Sequence, residues 1–249
     1  MSRHVFVGGL HRTGTSLVAR WLAAHPDVTG FARTGVWEDE GQHLQDVLPA
    51  ARTLGGPGRF AFHQDAWQGP VAEDAVADMR AQLLACWEPL WGTGAWRVEK
   101  SPPNLVRSRL LRQLFPEARF VFTTRHPLAV ALATRRMSRR LRVRSVAELV
   151  RHWCVGEERL REDLVELGGV HVQVRLEELT RDPNVMSGVF ELLGLEAVGA
   201  PEPLRRDPNA RYRAAVLPRI ERRWPPLRGE LRALAPRVSA LGYDLFSIP

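Results

Sequence analysis

Apolar and polar residues alternate in blocks along the chain, and the blocks predict strands separated by helices. His4-Val5-Phe6-Val7-Gly8 reads as a short buried strand. A glycine-containing loop, Gly9 to Thr15, follows it. Leu17, Val18, Trp21 and Leu22 then fall on one side of a helix. The Gly/Pro-rich stretch over 53–69, with Gly55-Gly56-Pro57-Gly58, reads as an excursion from the core. Pro70 opens a helix that carries Val71, Ala75, Met79, Leu83 and Trp87 at helical spacing, and Gly92 stops it. Trp96 to Glu99 predicts a short strand, and Pro103 a helix with Leu110, Leu111 and Leu114 as its buried face. Arg119 to Thr124, centred on Phe120-Val121-Phe122, is the strongest strand pattern, and a helix follows Pro127. Ser145 and Glu148 have capping-box spacing for a helix to about Leu167, which Gly168-Gly169 ends. Val170 to Leu176 alternates as a strand does, and Asp182-Pro183 begins a helix to about Leu193.

Strands that alternate with helices predict an α/β fold with a P-loop-like central parallel sheet and helices on both faces. No linker divides the chain, so residues 1–249 read as one domain. Within it, 54–95 reads as a helical excursion and 196–249 as a Pro- and Arg-rich helical cover.

The loop after the first strand carries the first candidate chemistry. In Gly9-Leu10-His11-Arg12-Thr13-Gly14-Thr15-Ser16, the glycines let backbone N–H groups approach an anion at the positive end of the following helix. Thr13, Thr15 and Ser16 add hydroxyl donors. The spacing is Gly-x-x-x-x-Gly-x-Ser, that of a phosphate loop, but Thr15 stands where a nucleotide triphosphatase has lysine. The cation lies inside the loop, at Arg12. A second anion site is expected at Thr123-Thr124-Arg125-His126-Pro127, where the strongest strand ends. A metal-dependent phosphate-loop enzyme often has an aspartate there. Here the residues are threonines and an arginine, which suit an anion better than a metal.

These motifs resemble those of sulfotransferases that use 3′-phosphoadenosine-5′-phosphosulfate (PAPS), of the bacterial carbohydrate or natural-product type. Gly9 to Leu17 is similar to the family's 5′-phosphosulfate loop, and Ala24-His25-Pro26-Asp27-Val28 is also common there. Thr124-Arg125-His126-Pro127 resembles its 3′-phosphate motif. The resemblance implies a sulfotransferase fold and PAPS as donor, with 3′,5′-bisphosphoadenosine (PAP) as product and no metal. It implies donor binding by His11, Arg12, Thr13, Gly14, Thr15 and Ser16, with Arg12 at the bridging oxygen and Arg125 on the 3′-phosphate. The family usually places a serine eight residues after that arginine. Here the position is Ala133, and Thr134 is the nearest hydroxyl. Glu99-Lys100-Ser101-Pro102 resembles the family's Glu-Lys-Ser/Thr-Pro element, which puts Lys100 near the sulfuryl group or the acceptor. Val174 to Leu179 looks like its late strand, with Arg175 and Glu177 expected in a network beneath the site. The resemblance runs from about residue 4 to 195.

Sulfuryl transfer also needs a base for the acceptor's proton. Trp37-Glu38-Asp39-Glu40-Gly41-Gln42-His43 holds the densest set of candidates. Three adjacent carboxylates repel one another, so one is expected to have a raised pKa, and His43 is a further natural base. The sequence does not select among Glu38, Asp39, Glu40 and His43. Trp37, Trp67, Trp87 and Trp91 suit an apolar or sugar-stacking pocket, or equally core packing.

Composition sharpens this reading in two places. Of 249 residues, 35 are basic and 28 acidic, a net charge of +7, and all the basic residues but Lys100 are arginine. Six of the arginines (135, 136, 139, 140, 142 and 144) fall in one acid-free decamer. The basicity is therefore largely local, which favours one anion-facing surface or a solvated helix over a general nucleic-acid coat. Cys86 and Cys154 are too few for a disulfide framework. No signal peptide and no apolar run near the ~20 residues of a membrane span is visible, so a cytoplasmic protein is expected. The acceptor is expected to be a small molecule, glycan or lipid, and no feature sets an oligomeric state. The rival readings are a phosphate-loop kinase, which would need a loop lysine and a magnesium carboxylate, and a module that binds nucleic acid or another anion through the arginine run.

Overall fold

The computed structural model describes residues 3–137, 144–214 and 225–249. Five strands form one sheet: β1 (Arg3–Gly9), β2 (Val28–Gly30), β3 (Trp96–Lys100), β4 (Arg119–Thr124) and β5 (His171–Arg175). Their order is β2-β3-β1-β4-β5, and every pairing is parallel. Val5 of central β1 lies opposite Val98 of β3 and Arg119 of β4.

Both faces of the sheet are covered, which is why the strands read as nearly continuous apolar runs. Alternation sorts their side chains. Phe6, Phe120 and Phe122 pack on one face with Leu110, Leu111 and Trp153. Val5, Val7 and Val121 pack on the other with Trp21, Phe190 and Leu193. The first layer holds α2 (Glu73–Trp87), α3 (Ser108–Leu114), α4 (Pro127–Arg135) and α5 (Val146–Leu167). The second holds α1 (Thr15–Leu22) and α7 (Val185–Leu193), with the short α6 (Leu176–Arg181) directly after β5. Helix α8 (Pro225–Ala240) packs on α5.

The strands fall where the pattern predicts them, apart from three-residue β2. The helix starts differ. A proline pushes the residue before it to extended backbone. Accordingly Asp182, before Pro183, is extended and α7 begins at Val185 rather than Asp182, while α2 begins at Glu73 rather than Pro70 because Ala72 is still extended. A short turn of helix over Pro102–Val106 precedes α3. The stretch over 53–69 does not leave the core: Phe60, Ala61 and Ala66 are buried in it among short turns. Half of the expected capping box forms. The Ser145 hydroxyl accepts the Ala147 N–H, but Glu148 pairs with Arg59 and Arg144 instead of closing the box. In the arginine run, residues 139, 140 and 142 lie outside the described residues.

Chain order places a crevice at the carboxyl ends of β1 and β4. From β1 the chain builds β2 and β3 on one side, then crosses to β4 and β5 on the other, and ligands of open α/β sheets bind at such a switch point. Below it, Glu157 of α5 accepts the Thr124 hydroxyl at 2.7 Å. Burial pushes its carboxyl up to about 7. A folded carboxyl that titrates above its unfolded value loses stability as pH rises from about 4.5 to 7. Glu157→Gln keeps the Thr124 bond and removes the charge. It should therefore raise stability by about 3 kcal/mol at pH 8 and by far less at pH 4.5, as read from urea unfolding midpoints at the two values.

Candidate active site

Two glycines let the site close. Gly9 leaves β1 at φ 152°, and a Cβ there would lie 2.6 Å from the Thr123 carbonyl oxygen of β4, so only glycine fits this passage. Thr13 then ties the loop down. Its hydroxyl bonds the Leu10 carbonyl and meets the Thr123 hydroxyl, each at 2.7 Å. Arg12 at φ 76° and Gly14 at φ 110° turn the chain into α1. Gly41 is the second close approach: a Cβ there would fall against the Glu99 carboxylate.

The loop opens onto a cleft of about 350 Å³. His11, Arg12, Gly14, Thr15 and Ser16 line it from the loop, and Glu38, Glu40 and Arg125 from elsewhere. Thr13 is fully buried beneath the loop and acts on its shape. Three arginines that local motifs do not mark join Arg125 or the loop at the cleft or its neighbours: Arg20 of α1 and Arg205 line it directly, and Arg206 lines an adjoining groove. Of the described tryptophans only Trp37, 69% exposed, lines the cleft. Trp87 and Trp91 are core residues.

Arg125 is 6% exposed and tightly held. Its Nε donates to Asn209 Oδ1 at 2.9 Å, Nη1 to the Arg12 carbonyl at 3.2 Å, and Nη2 to the Pro208 carbonyl at 2.6 Å. Among the described residues, one N–H on each terminal nitrogen has no hydrogen-bond partner. Burial lowers its pKa, and Glu177 is among the groups that oppose the shift. Asn209 is itself fixed, because its amide donates to Glu177 Oε1 at 2.7 Å. Glu177 Oε1 also accepts the His126 N–H at 2.9 Å. Arg175 stacks on Tyr243, whose hydroxyl faces Glu177 at 3.4 Å. Glu177 and Arg175 thus belong to a network behind Arg125.

Lys100, 5% exposed, pairs with Glu40 at 2.9 Å and donates to the Glu38 carbonyl at 3.0 Å. It lines a second cavity of about 160 Å³ beside the cleft. Beneath it, Glu99 accepts from Ser101 and from Asn104, which also accepts from buried Arg107. Burial raises the Glu99 pKa and lowers that of Arg107 to about 10.

The four base candidates differ in setting. Glu38 lines both cavities and accepts the Ser16 hydroxyl at 2.9 Å. Glu40 is held by Lys100 and Gln42. The expected upward shift from carboxylate crowding does not occur at Asp39. Hydrogen bonds, that of the Thr34 hydroxyl foremost, lower its pKa. His43 lines neither cavity, and burial lowers its pKa. His11 is pushed down to about 3, chiefly by burial and then by Lys100, so its ring is neutral at neutral pH. Thr134 is not brought to the cleft. It is buried and lines a separate crevice of about 10 Å³ with His11 and His152. Among the described residues no group of His, Cys, Asp and Glu is arranged to hold a metal ion, and no helix is long and apolar enough to cross a membrane.

Asn209 was not legible from local sequence, because its role depends on contacts 32 and 84 residues away. Asn209→Ala removes the Arg125 Nε acceptor and one donor to Glu177 in a fully buried setting. It should cost about 1–3 kcal/mol of stability, measured by urea denaturation.

A model of the Sulfotransferase family matches residues 4–198. No curated protein matches the chain. Among solved structures, sulfotransferase STF9 from Mycobacterium avium is 17% identical at a TM-score of 0.57, with 100% of this chain and 78% of that one covered. A sulfotransferase from Alicyclobacillus acidocaldarius is 19% identical at a TM-score of 0.53, with 98% and 100% covered. At such identities the two structures support the fold alone, a central parallel five-stranded sheet with helices. The family match extends over the anion loop, the Lys100 element, Arg125 and Glu177, and on it this chain belongs to the sulfotransferase family.

Proposed function

We propose that the chain transfers a sulfuryl group from PAPS to the hydroxyl of an acceptor, with PAP as the second product. The observation that carries the reading is the convergence of the anion loop and Arg125 on one cleft, with Arg20 and Arg205 on its walls. A donor with about four negative charges matches this set. The cleft suits PAPS in a second respect: anion-binding groups come from two segments, the loop and Arg125, for a 5′-phosphosulfate and a 3′-phosphate.

When bound, the donor supplies the sulfuryl group, which passes to the acceptor oxygen as its bond to the bridging phosphate oxygen breaks and the electron pair leaves with the phosphate. Loop N–H groups and the Ser16 hydroxyl hold the 5′ end. Arg12 stabilises charge on the bridging oxygen as a fixed cation, since a guanidinium does not give up its proton. Arg125 takes the 3′-phosphate with its two free N–H groups. Glu38 takes the acceptor's proton, because of the four candidates it alone lines both cavities. Lys100 holds the Glu38 backbone in place and stabilises charge from beneath. Thr134 has no part in donor binding.

Thermal stabilisation by PAP, by ATP with magnesium and by a nucleic-acid oligomer separates this reading from a kinase or a nucleic-acid binder. A shift with ATP–magnesium and none with PAP would sink it. Arg125→Ala should weaken PAP at least tenfold more than 5′-AMP, as measured by calorimetry. Equal losses would show that the 3′-phosphate lies elsewhere. Glu38→Gln should lower kcat by about 10²–10⁴, the usual contribution of a general base, while PAP binds no less tightly because a competing carboxylate has gone from Ser16.

A further inference from the structure

We infer that the 160 Å³ cavity is the acceptor pocket and that it selects a small neutral alcohol whose body is one ring or a short branched chain. The inference rests on the sulfotransfer reading above. Three properties of the cavity lead to it.

The first is size and floor. Ala19, Ala23, Phe31 and Val98 supply apolar walls between α1 and the segment after β2. An apolar cavity of about 150 Å³ accepts benzene. The apolar part of this one matches a single ring, and because exposed Arg20, Ala23 and Glu38 leave the cavity open on one side, a second ring or a lipid-length chain would extend into solvent and gain no further contact. An acceptor with many hydroxyls would set some of them against the apolar walls, at about 1–3 kcal/mol for each group left buried and unpaired.

The second is charge. Four charged residues line the cavity: Arg20, Glu38, Asp39 and Lys100. Both cations already have partners. Lys100 pairs with Glu40 at 2.9 Å, and Arg20 with Glu202 at 2.6 Å. Asp39 is ionised, its carboxylate bonded to Thr34 and to the Arg33 N–H. The Arg20 pair is exposed and the donor draws on the same guanidinium, so an anionic acceptor would meet the Glu38 and Asp39 carboxylates and compete with the donor for Arg20, which is selection by repulsion.

The third is connection. Ser16, Arg20 and Glu38 line this cavity and the anion cleft alike. The Ser16–Glu38 hydrogen bond of 2.9 Å is the partition between them. An alcohol with its body on the apolar floor places its hydroxyl at Glu38, beside the loop that holds the phosphosulfate. No other shared residue can take a proton.

The test is initial rates with PAPS and four alcohols: benzyl alcohol, its anionic analogue 4-(hydroxymethyl)benzoate, methyl glucoside and 1-octanol. Benzyl alcohol should be turned over with a kcat/KM at least tenfold above the other three. Ala23→Leu, at the exposed C-terminal cap of α1, reduces the cavity without touching the core. It should raise the KM for benzyl alcohol tenfold or more and leave the KM for PAPS within twofold. Ala19→Val, on the same wall, should act in the same direction. An unchanged benzyl alcohol KM in both variants would overturn the inference, as would equal use of the anion or the glucoside. So would a failure to turn over benzyl alcohol by an enzyme that PAP stabilises. Absence of PAP stabilisation in the wild type would instead remove the sulfotransfer reading, and the acceptor assignment with it.

Discussion

The architecture of the site follows from one constraint: a cation buried at the end of a buried strand must find partners. Lys100 ends β3 and Arg125 follows β4, and they are 5% and 6% exposed. Left unpaired, either would carry a desolvation penalty of several kcal/mol. Each recruits polar groups from a segment remote in sequence. Lys100 takes the Glu38 carbonyl and the Glu40 carboxylate, about 60 residues upstream. Arg125 takes Pro208 and Asn209, more than 80 residues downstream. Meeting these two demands fixes both walls of the cleft. One wall presents Glu38 and Trp37, and the other presents Arg205.

This constraint also explains what local sequence could and could not reveal. The strands were legible because both faces are covered, so each appears as a compact apolar run. Three-residue β2 has only Val28 buried and leaves little trace. The glycine loop and Arg125, which the structure brings to one cleft, stood out as motifs because each depends on spacing within a few residues. Arg20, Arg205 and Asn209 were not, since nothing nearby in sequence distinguishes them from the other arginines and from ordinary loop residues. Thr134 shows the limit of local reasoning on a helix. One step past Ala133 rotates the side chain by about 100°, and Thr134 lines the crevice behind His11 rather than the cleft. Lys100 stood out as the only lysine of the chain. Its burial against Glu40 shows that the residue organises the wall, and it lines the second cavity rather than the cleft.

The acidic run shows why chemistry could not be assigned from composition. Crowding alone predicts a raised pKa, but each carboxylate has a separate task. Asp39 caps the loop at Thr34, Glu40 neutralises Lys100, and Glu38 faces the cleft. Once Asp39 and Glu40 are committed to partners, the repulsion that the bare sequence implies is largely offset by those contacts.

Glu38 and Asp39 adopt left-handed backbone, at φ 54° and 49°, which costs roughly 1–2 kcal/mol per residue. The conformation persists because the Asp39 carboxylate holds Thr34 and Arg33 while Lys100 holds the Glu38 carbonyl. The backbone of Glu38 is thus fixed from two sides, and its carboxylate is held by the Ser16 hydroxyl. An anion that enters the loop competes for that same hydroxyl. In the proposed reaction, a donor that takes the hydroxyl frees the Glu38 carboxylate while its backbone stays pinned in the wall between the two cavities. Donor occupancy and a free base would then be coupled through one hydroxyl, and the strain in the 38–39 turn is the structural cost of holding Glu38 at both cavities.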